Sequence, residues 1–315
     1  MKILFSVGNA FVPIHQEMVV QMEQLGAEVE CLTFEQSMHP EIVKERIEDA
    51  DIYILAVTKV GRDVIDCAKS LKWMIKLGTG VDNIDVMYAA KKGIIVSNAP
   101  GQNAWSVAEL VIGYMIGLSR KVSLLDARTK NGSWKHSLGL ELYGKTLGIF
   151  GFGTIGKKLA RIVDAFQMNK LAFSYHQDEK TAESLHVSFV SMDQLFSQSD
   201  YLVICTALNQ TNYHIIDASV LKKMKPNAFL INISRGAIID EKALFDALKI
   251  NEIGGAALDV REIEPPEMVP DLNNLLVTPH IGGSTIESIQ RIADVTLENI
   301  HRFSQGKPIL HVVKC

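Results

Sequence analysis

The chain has 315 residues, of which 47% are hydrophobic and 22% are charged, and its formal net charge is −4. This length is sufficient for two domains with separate cores, and the composition is that of an ordinary globular protein. The slightly negative charge argues against a nucleic-acid partner, and no apolar run is long enough to predict a membrane span.

The first hundred residues alternate short apolar strands with amphipathic helices. We predict strands at residues 3–7, 28–32, 51–55, 73–76 and 94–96, and helices at residues 17–25, 41–47 and 63–68. The opening apolar segment is too short for a signal peptide, so we interpret it as the first strand. The four cysteines have no metal-binding spacing, which is typical of reduced thiols in a cytoplasmic protein.

A long apolar helix is predicted at residues 106–120, buried either in a core or in a subunit interface. Six strands follow at residues 146–150, 170–174, 201–206, 229–233, 256–260 and 275–278, with a final helix at 284–301. We therefore predict an α/β protein with two doubly wound parallel sheets. A Rossmann dinucleotide-binding domain (residues 99–284) is inserted in a flavodoxin-like substrate domain (residues 1–98 and 285–315).

The glycine run Gly151-Phe152-Gly153-Thr154-Ile155-Gly156 lies between a predicted strand and a predicted helix. In this setting the first glycine permits a tight turn, the second lets the backbone approach a pyrophosphate, and the third lets the helix pack on the strand. The N–H groups that begin the helix then face the anion. We therefore predict dinucleotide contacts at Gly151, Gly153 and Gly156. The spacing of the cysteines predicts no metal site.

Three predicted strands of the second sheet are followed by chemically capable side chains: Arg235, Glu264 and His280. Ligands of doubly wound sheets bind beyond the carboxyl ends of the strands. Arg235 can bind a carboxylate through two hydrogen bonds, and His280 can exchange a proton near neutral pH. Glu264 would favour the charged imidazole and orient it. Taken singly, each residue has an equally good alternative interpretation. Arg235 could be a surface cation, Glu264 a solvated loop carboxylate and His280 a structural histidine.

Several motifs, in order along the chain, resemble the D-isomer-specific 2-hydroxyacid dehydrogenase family, with the pattern of its D-3-phosphoglycerate dehydrogenase-like members. They are the glycine run and the segments at residues 78–85, 232–236, 257–260, 264–266 and 279–283. The resemblance implies catalytic roles for Arg235, Glu264 and His280, and a substrate carboxylate bound by the backbone of Leu77, Gly78, Thr79 and Gly80.

The resemblance also implies further cofactor contacts and a partner. The contacts fall on Thr154, Ile155, Thr206, Ile233, Ser234, Asp259 and Gly283. Members of the family are usually dimers built around the nucleotide domain, and the segment at residues 134–136 approaches the partner in relatives. In this chain the same segment is also compatible with a simple surface loop.

The nucleotide preference departs from the NAD-binding pattern, in which an acidic residue ends the second strand and bonds the ribose 2′-hydroxyl. Here Ser174 occupies that position, Asp164 comes too early and Asp178 too late. Ser174 and His176, with Lys180 nearby, can bond a 2′-phosphate. We therefore favour NADP(H) over NAD(H).

The substrate pattern departs as well. Where phosphoglycerate dehydrogenases usually carry arginines suited to a phosphate, this chain has Leu55 and Lys76. We also expect no regulatory domain such as some members carry. The resemblance therefore implies a cytoplasmic D-2-hydroxyacid dehydrogenase that reduces a small 2-oxo acid, such as glyoxylate, hydroxypyruvate or a branched one. The alternatives are a D-3-phosphoglycerate dehydrogenase, a phosphite dehydrogenase and a nucleotide-sensing, corepressor-like interaction protein.

Overall fold

The structure is a computed structural model that describes residues 1–314. It divides into two compact units, one formed by Met1–Asn103 together with the chain from Ser284 onward, the other by Ala104–Gly283. The sequence placed these boundaries at 98/99 and 284/285. The first lies later because residues 99–103 form a turn that precedes the next helix. Cys315, one of the cysteines predicted to be reduced, lies outside the described residues.

The first unit contains a five-stranded parallel sheet in the order β2-β1-β3-β4-β5. This is the flavodoxin-like order. All four residues of β3 are buried, as expected for a central strand covered on both faces. The strands are β1 (Lys2–Ser6), β2 (Glu28–Leu32), β3 (Ile52–Leu55), β4 (Trp73–Lys76) and β5 (Ile95–Ser97).

The described part of this unit contains six α-helices, and two of them, α2 and α5, were not predicted from the sequence. One of the two begins with a capping box between Thr33 and Gln36, and the other with an Asp85 carboxylate that accepts from the Tyr88 N–H. The helices are α1 (His15–Gln24), α2 (Phe34–Ser37), α3 (Pro40–Arg46), α4 (Arg62–Cys67), α5 (Val86–Lys91) and the chain-terminal α13 (Ile286–Ser304).

The second unit contains a parallel sheet of seven strands, in the order β12-β11-β10-β9-β6-β7-β8. This is the Rossmann order with one strand added at the β12 edge. The sequence prediction of six strands was wrong because β8 has the polar, exposed Ser188 at its centre and therefore no continuous apolar run. The strands are β6 (Thr146–Phe150), β7 (Asn169–Phe173), β8 (Val187–Phe189), β9 (Tyr201–Ile204), β10 (Phe229–Asn232), β11 (Gly255–Leu258) and β12 (Leu275–Val277).

The helices of the second unit cover both faces of this sheet. The long apolar helix α6 buries one face, which includes Val107, Val111 and Met115, in the core of this unit. Its Ile116 is 38% exposed. The helices are α6 (Ala104–Arg120), α7 (Val122–Lys130), α8 (Thr154–Ile162), α9 (Glu179–Ser184), α10 (Met192–Gln198), α11 (Ala218–Lys223) and α12 (Glu241–Lys249). Within residues 1–314 no helix is long and apolar enough to cross a membrane.

Candidate active site

Arg235, Glu264 and His280 follow β10, β11 and β12, which are neighbours in the second sheet. Because these strands are parallel, their carboxyl ends meet at one edge. The sheet therefore brings the three side chains together within a single unit, although 45 residues separate the first from the last.

The imidazole of His280 is hydrogen bonded to the carboxylate of Glu264. Nδ1 of His280 donates to Oε2 of Glu264 at 2.8 Å, which leaves Nε2 for a substrate. The two side chains are 52% and 38% exposed. The hydrogen bond to Glu264 raises the pKa of His280 above its ordinary 6.5, against the opposing effect of burial. The site therefore favours an imidazolium beside a carboxylate.

Arg235 is half-buried beside this pair, and its charge lowers the pKa of both Glu264 and His280. The turn that carries it is shaped by Asn232, whose Nδ2 donates to the Arg235 carbonyl and whose Oδ1 accepts from the Ser234 N–H. Sequence reasoning quoted Asn232 only as part of a motif. In the structure its amide is fully buried, and both its nitrogen and its oxygen are hydrogen bonded within the turn, which identifies it as a turn-forming residue.

Asp259, expected to contact a cofactor, anchors the loop that carries His280. Its buried carboxylate accepts from the N–H groups of Ile281 and Gly282, at 2.8 and 2.7 Å, and from the Thr278 hydroxyl at 2.6 Å. His280 has φ of 54° and donates its N–H to the Asp259 carbonyl. This network stabilises a left-handed backbone that a histidine seldom adopts.

The three fingerprint glycines differ in their surroundings, which together fit a dinucleotide. A Cβ at Gly151 would lie 2.6 Å from the Thr206 nitrogen, and one at Gly156 would lie 2.6 Å from the Gly151 carbonyl. A Cβ at Gly153 would meet nothing within 4 Å, so this glycine borders open space. Gly153 also begins α8 without a side-chain cap, which leaves the first N–H groups of the helix for a phosphate.

The other expected cofactor residues lie at the same edge or in the same unit. Thr154 and Ile155 form the first turn of α8, Thr206 follows β9, and Ile233 and Ser234 follow β10. The Ser234 hydroxyl donates to the Thr206 carbonyl, which joins two of these loops. Gly283 is the last residue of the unit.

Ser174 directly follows β7 and is half-buried, and His176 is exposed two residues later. The adjoining Phe173 carbonyl accepts from the Gly151 N–H at 2.8 Å, so this strand end lies beside the glycine loop. Asp178 is paired with Lys157 at 2.5 Å and caps α9. The hydrogen bond from Lys157 holds the pKa of Asp178 far below its usual range.

Leu77, Gly78, Thr79 and Gly80 follow β4 in the first unit. The N–H of Leu77 already donates to the Leu55 carbonyl at 2.8 Å, and that of Gly78 to the Lys76 carbonyl at 3.0 Å. Gly78 has φ of 147°, which only glycine adopts readily. The N–H groups of this loop that are left for a substrate are therefore those of Thr79 and Gly80.

The positions tied to phosphate recognition also lie in the first unit. Leu55 is fully buried, and the Lys76 ammonium donates to the Ala56 carbonyl and, at 3.0 Å, to the Asn83 amide oxygen. Among residues 1–314, no three His, Cys, Asp or Glu side chains are grouped so as to hold a metal ion.

The second unit matches a family model. Residues 112–282 match the NAD-binding domain of D-isomer-specific 2-hydroxyacid dehydrogenases. The chain is 40% identical over 307 residues to D-3-phosphoglycerate dehydrogenase of Methanocaldococcus jannaschii, covering 96% of this chain and 58% of that protein. It is 38% identical to hydroxypyruvate reductase of Thermotoga maritima, covering 81% and 85%.

Solved structures of related enzymes are similar to this chain over almost its whole length. An acyclic imino acid reductase in complex with NADPH and D-arginine has a TM-score of 0.89, 29% identity and complete coverage of both chains. D-lactate dehydrogenase of Aquifex aeolicus, complexed with NAD and lactic acid, has a TM-score of 0.84, 26% identity and 96% coverage of each chain. The expected fold class is confirmed. The chain belongs to the D-isomer-specific 2-hydroxyacid dehydrogenase family.

Proposed function

We propose that this protein is an NAD(P)-dependent D-2-hydroxyacid dehydrogenase that works mainly as a 2-oxo acid reductase. One observation carries the proposal: Nδ1 of His280 is bound to Glu264, so Nε2 is available as a proton donor beside the Arg235 guanidinium. A fixed cation and a charged imidazole suit a substrate with a carboxylate and a keto oxygen.

The dinucleotide, when bound, supplies the hydride that reduces C2 of the substrate. Arg235 binds the substrate carboxylate through two hydrogen bonds, and its positive charge polarises the keto oxygen. His280 donates a proton to that oxygen from Nε2. Glu264 remains ionised and stabilises the imidazolium until the proton has moved.

The proposed nucleotide is NADP(H). Ser174 stands where NAD-binding members have an acid, and the neighbouring Asp178 is neutralised by Lys157. Neither Ser174 nor the paired Asp178 then presents a free negative charge to a 2′-phosphate, and Ser174 and His176 offer hydrogen bonds to it. The imino acid reductase in complex with NADPH supports this proposal, because a protein of similar fold binds the same nucleotide.

The proposed substrate is a small unphosphorylated 2-oxo acid. The chain spans 58% of the length of the phosphoglycerate dehydrogenases that it matches, so the substrate of the whole protein is a proposal that rests on the residues of the site. Leu55 is buried and Lys76 is engaged with backbone and amide oxygens, so neither is poised for a phosphate. Hydroxypyruvate, glyoxylate and branched 2-oxo acids are the candidates.

The proposed assembly is a homodimer formed through the nucleotide unit. The segment between α7 and β6 exposes large apolar side chains, including Trp134 at 83% and Leu138 at 94%. Exposed apolar patches of this kind are typical of protein interfaces.

The decisive experiment compares wild type with His280→Ala, using NADH and NADPH oxidation over a panel of 2-oxo acids. Removing the proton donor is expected to lower kcat by roughly 10²- to 10⁴-fold. Dinucleotide binding, measured by fluorescence titration, is expected to be unchanged. Undiminished turnover in His280→Ala would refute the assignment, and activity on 3-phosphohydroxypyruvate alone would favour the phosphoglycerate dehydrogenase alternative.

A further inference from the structure

The loop that carries Glu264 is anchored to α12 by an ion pair. Nε and Nη2 of Arg261 donate to Oε1 and Oε2 of Glu241, both at 2.9 Å. The two side chains are only 8% and 15% exposed. This two-pronged geometry is the most directional that an arginine makes with a carboxylate.

Two further contacts hold the same segment. The Glu262 N–H donates to Oε1 of Glu241 at 2.8 Å, and the Arg261 guanidinium lies 5.2 Å from the centre of the Phe245 ring. Both Glu241 and Phe245 belong to α12. The backbone of residues 261 and 262 is therefore fixed on that helix.

The opposite side of this backbone is closed by Gly236, the residue after Arg235. A Cβ at Gly236 would lie 2.0 Å from the carbonyl carbon of Arg261 and 2.1 Å from the nitrogen of Glu262. The segment is thus held between the turn that carries Arg235 and the helix that carries Glu241.

The fixed backbone leads directly to the catalytic pair. The Arg261 N–H donates to Oε1 of Glu264 at 2.9 Å, while Oε2 of the same carboxylate accepts from His280. One donor on each oxygen defines the plane of the carboxylate. A shift of residue 261 therefore moves Glu264 relative to the imidazole.

We propose that Glu241, acting through Arg261, is a positioning residue that holds the Glu264 carboxylate against His280. The functional consequence rests on the proposed function, because it assumes that His280 is the proton donor. The hydrogen bonds of Glu241 go to Arg261 and Glu262, so its influence on Glu264 passes through the loop.

The electrostatics of the pair make this positioning measurable. Burial works to raise the pKa of Glu264, but hydrogen bonds from His280 and the Arg261 N–H lower it below its ordinary value. The charged groups that act on His280 are Glu264, Asp259 and Arg235. If the loop loosens and Glu264 withdraws, the pKa of His280 falls, because the hydrogen bond that raises it is lost while burial and Arg235 continue to lower it.

The test uses Glu241→Asp, which keeps the negative charge but shortens its reach, and Glu241→Gln, which keeps the shape but removes the charge. The matched control is Glu179→Asp, because Glu179 also begins a helix after an aspartate cap but is exposed. The His280 pKa is measured by NMR titration of the protein without nucleotide, with the resonance assigned from His280→Ala. The kcat and the KM for nucleotide are measured separately.

We expect both Glu241 variants to lower the His280 pKa and to reduce kcat by roughly 10- to 100-fold, as displaced catalytic groups do. The KM for nucleotide and the control are expected to match wild type. An unchanged His280 pKa and kcat in Glu241→Asp, even with a lower Tm, would overturn the proposal. A lower His280 pKa in Glu241→Gln but not in Glu241→Asp would also overturn it, since the pKa would then respond to the charge of residue 241 and not to the position of the loop.

If Glu241→Asp does not fold, Arg261→Lys replaces it, because lysine keeps the charge but loses the two-pronged geometry. The same titration decides the outcome. The NMR result does not depend on turnover, so failure of this inference is distinguishable from failure of the proposed function, which His280→Ala tests.

Discussion

At the scale of single residues, His280 combines a left-handed backbone conformation with a ring nitrogen, Nδ1, that is hydrogen bonded to Glu264. Its left-handed φ costs roughly 1–2 kcal/mol for a residue with a Cβ, and strain of this kind concentrates at functional sites. The carboxylate of Asp259 offsets the cost by binding the two N–H groups that follow His280. The buried Asp259 carboxylate thus fixes the loop, while the more exposed Glu264 carboxylate orients the imidazole.

The raised pKa of His280 predicts opposite pH dependence for the two directions of the reaction. Reduction requires the imidazolium, so its kcat is expected to decline as the pH rises through a value above 6.5. Oxidation requires the neutral ring and is expected to increase through the same value. Glu264→Gln removes the main cause of the rise and should move both transitions to lower pH. Steady-state profiles in both directions check this, and transitions of the same sign would contradict it.

The nucleotide preference is predicted to depend on Ser174. Ser174→Asp places a carboxylate where it repels a 2′-phosphate and bonds a ribose hydroxyl, so kcat/KM for NADPH should fall and that for NADH should rise. We expect the ratio to change by at least about 10-fold, equivalent to about 1.4 kcal/mol. Ser184→Asp, on the exposed surface of α9, is the control. A wild type that already prefers NADH would show the proposed preference to be wrong.

The catalytic candidates were accessible to sequence reasoning because each follows a strand, and strands have a strong local signature. The supporting residues were not. Asn232, Asp259 and Glu241 act through contacts 2 to 23 residues away in the chain, and their neighbours in sequence do not reveal those partners. Short-range pattern indicates where a reactive group lies but not what holds it.

At the scale of elements, the turn after β10 and the loop after β11 are in direct contact. Gly236→Ala would force a Cβ into the backbone of Arg261 and Glu262, and backbone cannot rotate away as a side chain can. We expect a loss of about 1–3 kcal/mol in the free energy of unfolding, together with lower kcat. Urea denaturation measures the free energy of unfolding.

Gly113→Ala is the control for this substitution. Gly113 lies within α6, and a Cβ there meets nothing within 4 Å. Alanine in a helix is favoured over glycine by about 1 kcal/mol, so this variant should be as stable as wild type or more so. Equal stability of Gly236→Ala and wild type would show that the loop shifts freely.

The elements that sequence reasoning missed share a physical cause. Strand β8 has the exposed Ser188 between its two apolar residues, and helix α2 has only four residues, so neither shows a recognisable hydrophobic period. Helix α7 buries none of its residues and therefore has no apolar stripe. The long or fully buried elements, such as α6 and β4, were predicted closely because burial imposes a continuous pattern.

At the scale of the whole molecule, the exposed apolar segment between α7 and β6 predicts self-association. A double variant, Trp134→Ala with Leu138→Ser, should convert the expected dimer to a monomer in analytical ultracentrifugation, since large aromatic and aliphatic contacts dominate interfaces. Ile250→Ser is the control, because Ile250 is also largely exposed, at 72%, but lies at the end of α12. A monomeric wild type would contradict the proposed assembly.

The sequence by itself determined the fold class, the dinucleotide fingerprint and the three catalytic candidates. These follow from periodicity, glycine placement and strand ends, all of which are encoded within a few neighbouring residues. Only the tertiary structure decided which groups are already occupied: Asp178 by Lys157, the Leu77 and Gly78 amides by backbone carbonyls, and Asp259 by the His280 loop. Most of these partners are more than 20 residues away in the chain, so no local sequence pattern shows which groups are already hydrogen bonded.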